Sequence, residues 1–186
     1  SNGIEQILEV YVPKEDSVKV QILHLKNTTP NRKKLKIYCY NKLVIGEDEQ
    51  KITEYIDLKY DKNNNILIAQ NLYNSDFKEV AYVASSEKIK SYTGNKNFFF
   101  GKGGIQNPDG IKKVSLNNEN SLGQNTCICY EIEIEVESFS EKEISILLGA
   151  EDNIIDCKNM SYKYRKIPNC KQELNYVKSY WKELLG

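Results

Sequence analysis

Arginine is almost missing from this chain: Arg32 and Arg165 stand alone among 26 basic residues, which 26 acidic residues balance. A formal net charge of zero offers no basic face to neutralise phosphates, so nucleic acid is excluded as an electrostatic partner. An anionic membrane surface gains no support either. No apolar run approaches the roughly 18 residues a bilayer span requires. Ser1-Asn2-Gly3 is too short and polar for a signal peptide, and Ser1-Asn2 reads as the scar of a cleaved tag. Cytoplasmic placement is the expectation, for a piece excised from a longer protein.

Histidine is scarcer still. His24 is the single one, inside the strand-like run Val20–Leu25, where a rim position or a backbone partner is expected. The five cysteines, Cys39, Cys127, Cys129, Cys157 and Cys170, are odd in number and irregular in spacing, unlike a secreted disulfide scaffold. Cys127 and Cys129 would share one face of a strand, but a metal site needs more ligands than this chain offers. They read as buried thiols. With no nucleophile motif and no ligand cluster, no catalytic residue, metal or cofactor is expected.

What the sequence does have is period-two alternation. From Tyr130 to Glu137, apolar residues hold the even positions and Glu131, Glu133, Glu135 and Glu137 the odd ones. That pattern fits a strand with one buried face and places the glutamates in water. Strands are also expected over Ile4–Val12, Val18–Lys26, around Leu35, Ile37 and Cys39, and over Ile52–Leu58. Further ones fall on Ile66–Gln70, Val80–Ser85, Lys90–Thr93 and around Ile144, Ile146 and Leu148. Turn-rich separators such as Asn27-Thr28-Thr29-Pro30-Asn31, without βαβ spacing, predict an antiparallel β-sandwich over residues 3–150.

Residues 151–186 change period. A short helix is expected over Asn153–Tyr164, stopped by Pro168. An amphipathic helix follows, with Leu174, Val177, Trp181 and Leu184 as its core stripe and Trp181 as a packing anchor.

One segment breaks the strand rhythm: Gly94 to Gly104, containing Phe98-Phe99-Phe100, followed by Asn107-Pro108-Asp109-Gly110. Extended, three consecutive phenylalanines cannot share a face, so the strand is buried on both sides or offers an aromatic to a partner. The glycines permit a change of shape, and Lys96 and Lys102 bring donors to the same place. The segment lacks the spacing and following helix of a phosphate loop.

Taken in order, several pieces resemble the N-terminal β-domain of glycoside hydrolase family 94, the cellobiose phosphorylase and cyclic β-1,2-glucan synthase group. They are Leu8-Glu9-Val10-Tyr11-Val12-Pro13 with Asp16, Leu25-Lys26-Asn27, Ile68-Ala69-Gln70-Asn71 and Ser91-Tyr92-Thr93. Phe99-Phe100-Gly101-Lys102, Leu147-Leu148-Gly149 and Tyr180-Trp181 complete the set. The chain departs from the family pattern at Asn95-Lys96, where an acid and an arginine are usual, and at Asn125-Thr126-Cys127 in place of Asp-Pro-Cys. Lysine loses the planar fork of arginine.

The resemblance implies a galactose-mutarotase-like supersandwich, here partial, with residues 151–186 as a helical linker toward an (α/α)6 catalytic barrel. The catalytic and phosphate-binding groups belong to that barrel. It implies a non-catalytic accessory domain of a phosphorylase or glucan synthase, packing on the barrel of the same or a neighbouring chain. Lys96, Phe99, Phe100 and Lys102 are then the candidate ligand-binding residues beside the sugar entrance. A free-standing oligosaccharide-binding module using exposed tyrosines and a structural or homodimerising element are the alternatives.

Overall fold

The computed structural model describes residues 2–46, 55–73, 78–121 and 126–186. The strands are β1 (Ile4–Tyr11), β2 (Val18–Asn27), β3 (Lys33–Lys42), β4 (Ile56–Asp61) and β5 (Ile66–Asn71). Then come β6 (Val80–Ser85), β7 (Ile89–Asn95), β8 (Thr126–Val136) and β9 (Glu141–Glu151). They form a six-stranded sheet, ordered β1-β2-β9-β6-β5-β4, and a three-stranded sheet, ordered β3-β8-β7. All pairings between these strands are antiparallel. The predicted antiparallel sandwich is therefore the fold. Of the strand expected over Ile52–Leu58, residues 52–54 lie outside the described residues, as does Asn125.

The two-residue side-chain period builds two cores. In β2, Leu23 and Leu25 point between the sheets, while Val18, Val20 and Ile22 point to the other face. In β5, Leu67 and Ala69 enter the inter-sheet core, and Ile66 and Ile68 the other. A sheet covered on both faces explains why β5 reads as a continuous apolar run. The inter-sheet core is completed by Tyr130, Ile132, Ile134 and Val136 of β8, the apolar half of the alternating run.

The second core is closed by two helices, α2 (Ile154–Tyr164) and α3 (Ile167–Leu185), which follow α1 (Lys96–Phe100) in the chain. Asn153 caps α2 by accepting from the Asp156 N–H at 3.0 Å. Cys157, Tyr164, Cys170 and Leu174 insert against Tyr82 and Leu147. Pro168 does not stop a helix but sits in the first turn of α3, where its missing N–H has no intrahelical partner to lose. Trp181 departs from the expected packing anchor. It is 51% exposed, because α3 runs past the sheet after Val177. Among the described residues no helix is long and apolar enough to cross a membrane.

Candidate functional site

The Phe-rich segment is a single helical turn, not a strand. Asn95 accepts from the Phe98 N–H at 3.0 Å, and this N-cap turns the backbone into α1. A helical turn fans consecutive side chains around its axis, so the three phenylalanines need not share a face. Phe99 is buried against the outer face of the small sheet, stacked on Tyr40 of β3 with centroids 5.7 Å apart and 9° between planes. Phe100 tilts onto the same tyrosine at 4.7 Å. Leu116, Cys127 and Cys129 complete this third cluster. Phe98 lies at its rim under the Lys113 ammonium, 3.5 Å from the ring centre. Tyr38 and Tyr40 were the sequence signal for it: two aromatics on the face of β3 that alternation assigns to water.

The loop beyond α1 is fixed in two places. Asp109 accepts from the Lys102 N–H at 2.9 Å and from Lys112 Nζ at 3.0 Å, and these donors hold its carboxyl below the usual range. Gly101 makes this possible. It has φ of 55°, and a Cβ there would come within 2.1 Å of Asp109 Oδ2. Gly110 passes close enough to Phe99 that a Cβ would lie 2.6 Å from the ring.

The second anchor corrects the reading of Glu131. This glutamate is fully buried, not solvated. It accepts from Ser91 Oγ at 2.7 Å and pairs with Lys36 Nζ at 2.8 Å. Ser91 Oγ in turn accepts from the Leu116 N–H at 3.0 Å, and Lys36 donates to the Val114 carbonyl at 2.6 Å. Glu131 faces outward as alternation requires, but the loop lies over it. The other glutamates of the alternating run, Glu133, Glu135 and Glu137, do reach solvent. A buried carboxylate needs such partners.

The structure thus brings Phe99 and Phe100 together as the support of the loop, with Phe99 inside it. Lys96 is half-buried and Lys102 exposed. Around them Ile105, Ile111 and Val114 reach solvent, Val114 at 92% exposure, an aliphatic rim on a tightly held loop.

His24 lies on the helix-covered side of the large sheet, between two carboxylates of neighbouring strands. Its Nε2 is 3.0 Å from Glu9 Oε2 and its Nδ1 2.9 Å from Glu143 Oε1. Lys178 and Lys171 of α3 cover the same carboxylates at 3.0 and 2.7 Å, which lowers both acids. The cluster ties α3 to the sheet. Among the described residues no group of three or more His, Cys, Asp or Glu side chains is placed to hold a metal ion. The cysteines are free thiols. Burial raises Cys39 and Cys170 to about 11 and Cys127 and Cys157 to about 12, far from the thiolate a nucleophile needs.

Comparison with known proteins follows this geometry. The chain is 25% identical over 167 residues to the cyclic beta-(1,2)-glucan synthase NdvB of Rhizobium meliloti (strain 1021). That match covers 88% of the chain but 6% of the relative's length. A solved structure named as a kojibiose phosphorylase from human microbiome matches 97% of the chain and 21% of its own, at 12% identity and a TM-score of 0.35. The family model described as "Glycosyl hydrolase 94, supersandwich domain" matches residues 1–167. With that match running from the first strand through α2, the first of the two helices on the second core, the chain belongs to the glycosyl hydrolase 94 supersandwich-domain family.

Proposed function

We propose that this chain is a non-catalytic accessory domain that packs against the catalytic domain of a glycoside phosphorylase or glucan synthase and presents its Phe-rich loop beside the sugar entrance. The observation that carries this reading is the C-terminal half of α3. Trp181, Leu184 and Leu185 stand exposed beyond the stretch of the helix that buries Cys170 and Leu174, and Tyr180 packs edge-on against Trp181. Contiguous apolar surface of this kind marks an interaction site, and aromatic anchors dominate such sites. The relative's much greater length supports a neighbouring domain. In this arrangement Phe99 and Phe100 set the shape of the loop, while Lys96 and Lys102 offer donors to the sugar or to the neighbour.

The isolated chain is expected to neither cleave nor phosphorolyse β-linked disaccharides. Trp181→Ala with Leu184→Ala should leave its thermal melt unchanged, because both side chains are exposed. The same pair should weaken association with the separately produced catalytic domain at least tenfold, read by calorimetric titration. Unchanged association would remove the docking role. Lys96→Ala with Lys102→Ala should raise KM for the sugar in the full enzyme. Unaltered kinetics there would leave the loop as packing alone.

A second reading, direct sugar binding, draws on the groove between the β4 and β7 edges. It is lined by Tyr60, Tyr92, Lys88 and Asn118. Tyr92 is buried, however, and tilts against Tyr60 instead of offering a flat platform. Titrating cellobiose and β-1,2-glucan into the isolated chain separates the two readings.

A further inference from the structure

We propose that an extended strand of the neighbouring domain, apolar on both faces, adds to the outer edge of β1 beneath the exposed end of α3, a contact that rests on the docking proposed above. Among the described residues β1 is an edge strand, paired with β2 alone. Its eight pairs run from Ile4↔Asn27 to Tyr11↔Val20 without a bulge, and it contains neither lysine nor proline. Bulges, lysines and prolines are what usually keep a sheet edge from taking another strand.

The direction of α3 states where that strand would lie. Lys171 reaches Glu143 of β9 at 2.7 Å, and Lys178 reaches Glu9 of β1 at 3.0 Å. Seven helical residues advance about 10 Å, which matches the two strand spacings from β9 across β2 to β1. α3 therefore crosses the strands and leads over the edge of the sheet. Cys170, Leu174 and Val177 form its sheet-facing stripe. Trp181 and Leu184 continue that stripe at the same spacing, 51% and 59% exposed, with no described strand beneath them. They reach roughly one to two strand spacings beyond β1.

The surroundings state what such a strand carries. Side chains turned toward α3 would meet Trp181, Leu184 and, from β1, Ile7, which is 66% exposed. Those turned the other way would lie beside Leu8 and Val10, each 52% exposed on the side where Ile4 joins the inter-sheet core. Apolar residues in both alternate sets are the pattern of β5, whose Ile66, Leu67, Ile68 and Ala69 are all buried under two covered faces. Added strands bond through the main chain and are selected by their alternate side chains. A second copy of β1 does not suit the place. It would set Glu5 and Glu9 beneath the apolar stripe, and its own α3 already holds that face through Lys178 and Tyr11.

The test compares hydrogen exchange of β1 in the 186-residue chain with that in the full enzyme. The β1 amides that point away from β2 should exchange at least tenfold more slowly in the enzyme. Leu8→Lys alters the sheet face away from α3, where docking by the helix end alone would not feel it. In the enzyme it should restore fast exchange at β1 while the melt of the isolated chain stays unchanged. Gln6→Lys, exposed on the same face, should do the same. Gln6→p-benzoylphenylalanine should cross-link, on irradiation, to a segment of the neighbouring domain that is apolar in both alternate sets. Equal exchange of β1 in chain and enzyme would overturn the proposal. Protection of residues 179–185 alone would keep the docking and remove the strand, and protection at neither place would remove both. A cross-link to a helix, or to a second copy, would likewise overturn it.

Discussion

Glu131 and Glu133 are two positions apart on one strand and identical in chemistry, yet the loop anchored by Ser91 and Lys36 covers only the first. Glu131→Ala would leave the Ser91 hydroxyl unpartnered and Lys36 without its closest acid, and should cost about 1.5–3 kcal/mol. The half-exposed Lys36 regains water, which keeps the loss below that of a fully buried pair. Glu133→Ala should stay within about 0.5 kcal/mol, whereas Ile134→Ala, which opens the inter-sheet core, should cost about 2–5 kcal/mol. Urea unfolding of the three variants checks the ranking, and equal losses for the two glutamates would mean that the loop does not cover the strand as described. Alternation alone could not separate them. It assigns a face, and what lies on that face depends on a loop some twenty residues away.

Elements are joined by a few charged clasps. Asp61, at the end of β4, accepts from the N–H groups of Asn63 and Asn64 at 3.1 Å each and pairs with Lys158 of α2 at 2.8 Å. The Lys158 ammonium is the main reason its carboxyl is lowered to about 2. Because the folded value lies below the unfolded one, the stabilisation is present above about pH 4 and disappears as pH falls toward 2. Asp61→Asn should therefore cost about 2 kcal/mol near neutrality, and the difference from the parent chain should vanish near pH 2. Thermal melts over that range test the sign. A difference that persists at pH 2 would assign the loss to packing. The sheet strands were legible because a covered face imposes a period of two on sequence. Val80–Ser85 reproduces β6 residue for residue. The helical turn α1 was not, since five residues carry too little periodicity and the stack on Tyr40 supplies the stability that local sequence lacks. Pro168 misled for a related reason. A proline that ends one helix and a proline that opens the next look alike until Ile167 is seen to start α3. At the candidate loop the sequence offered Lys96 and Lys102 only as donors, and the burial of Phe99 depends on tyrosines from a distant strand.

At the scale of the molecule, among the described residues six strands lie over three, and two helices seal the far side of the larger sheet. The exposed end of α3 is the proposed contact with a neighbouring domain. The order of strands also carries a consequence for how the molecule comes into being. β9 sits between β2 and β6, so without it the large sheet falls into two unconnected pieces, β1-β2 and β6-β5-β4. Its pairing with β2 runs from Val18↔Gly149 to Lys26↔Glu141, and β3 likewise waits for β8, with Lys33 opposite Val136. A ribosome must therefore deliver nearly the whole domain before either sheet can close. Pairings this distant in sequence also place folding toward the slow end, on the order of milliseconds to seconds. Nascent chains arrested before Glu141 should be digested freely by protease, and resistance should arrive in one step once Glu151 has cleared the exit tunnel. Gradual acquisition would mean that the two pieces fold apart, with β9 only joining them.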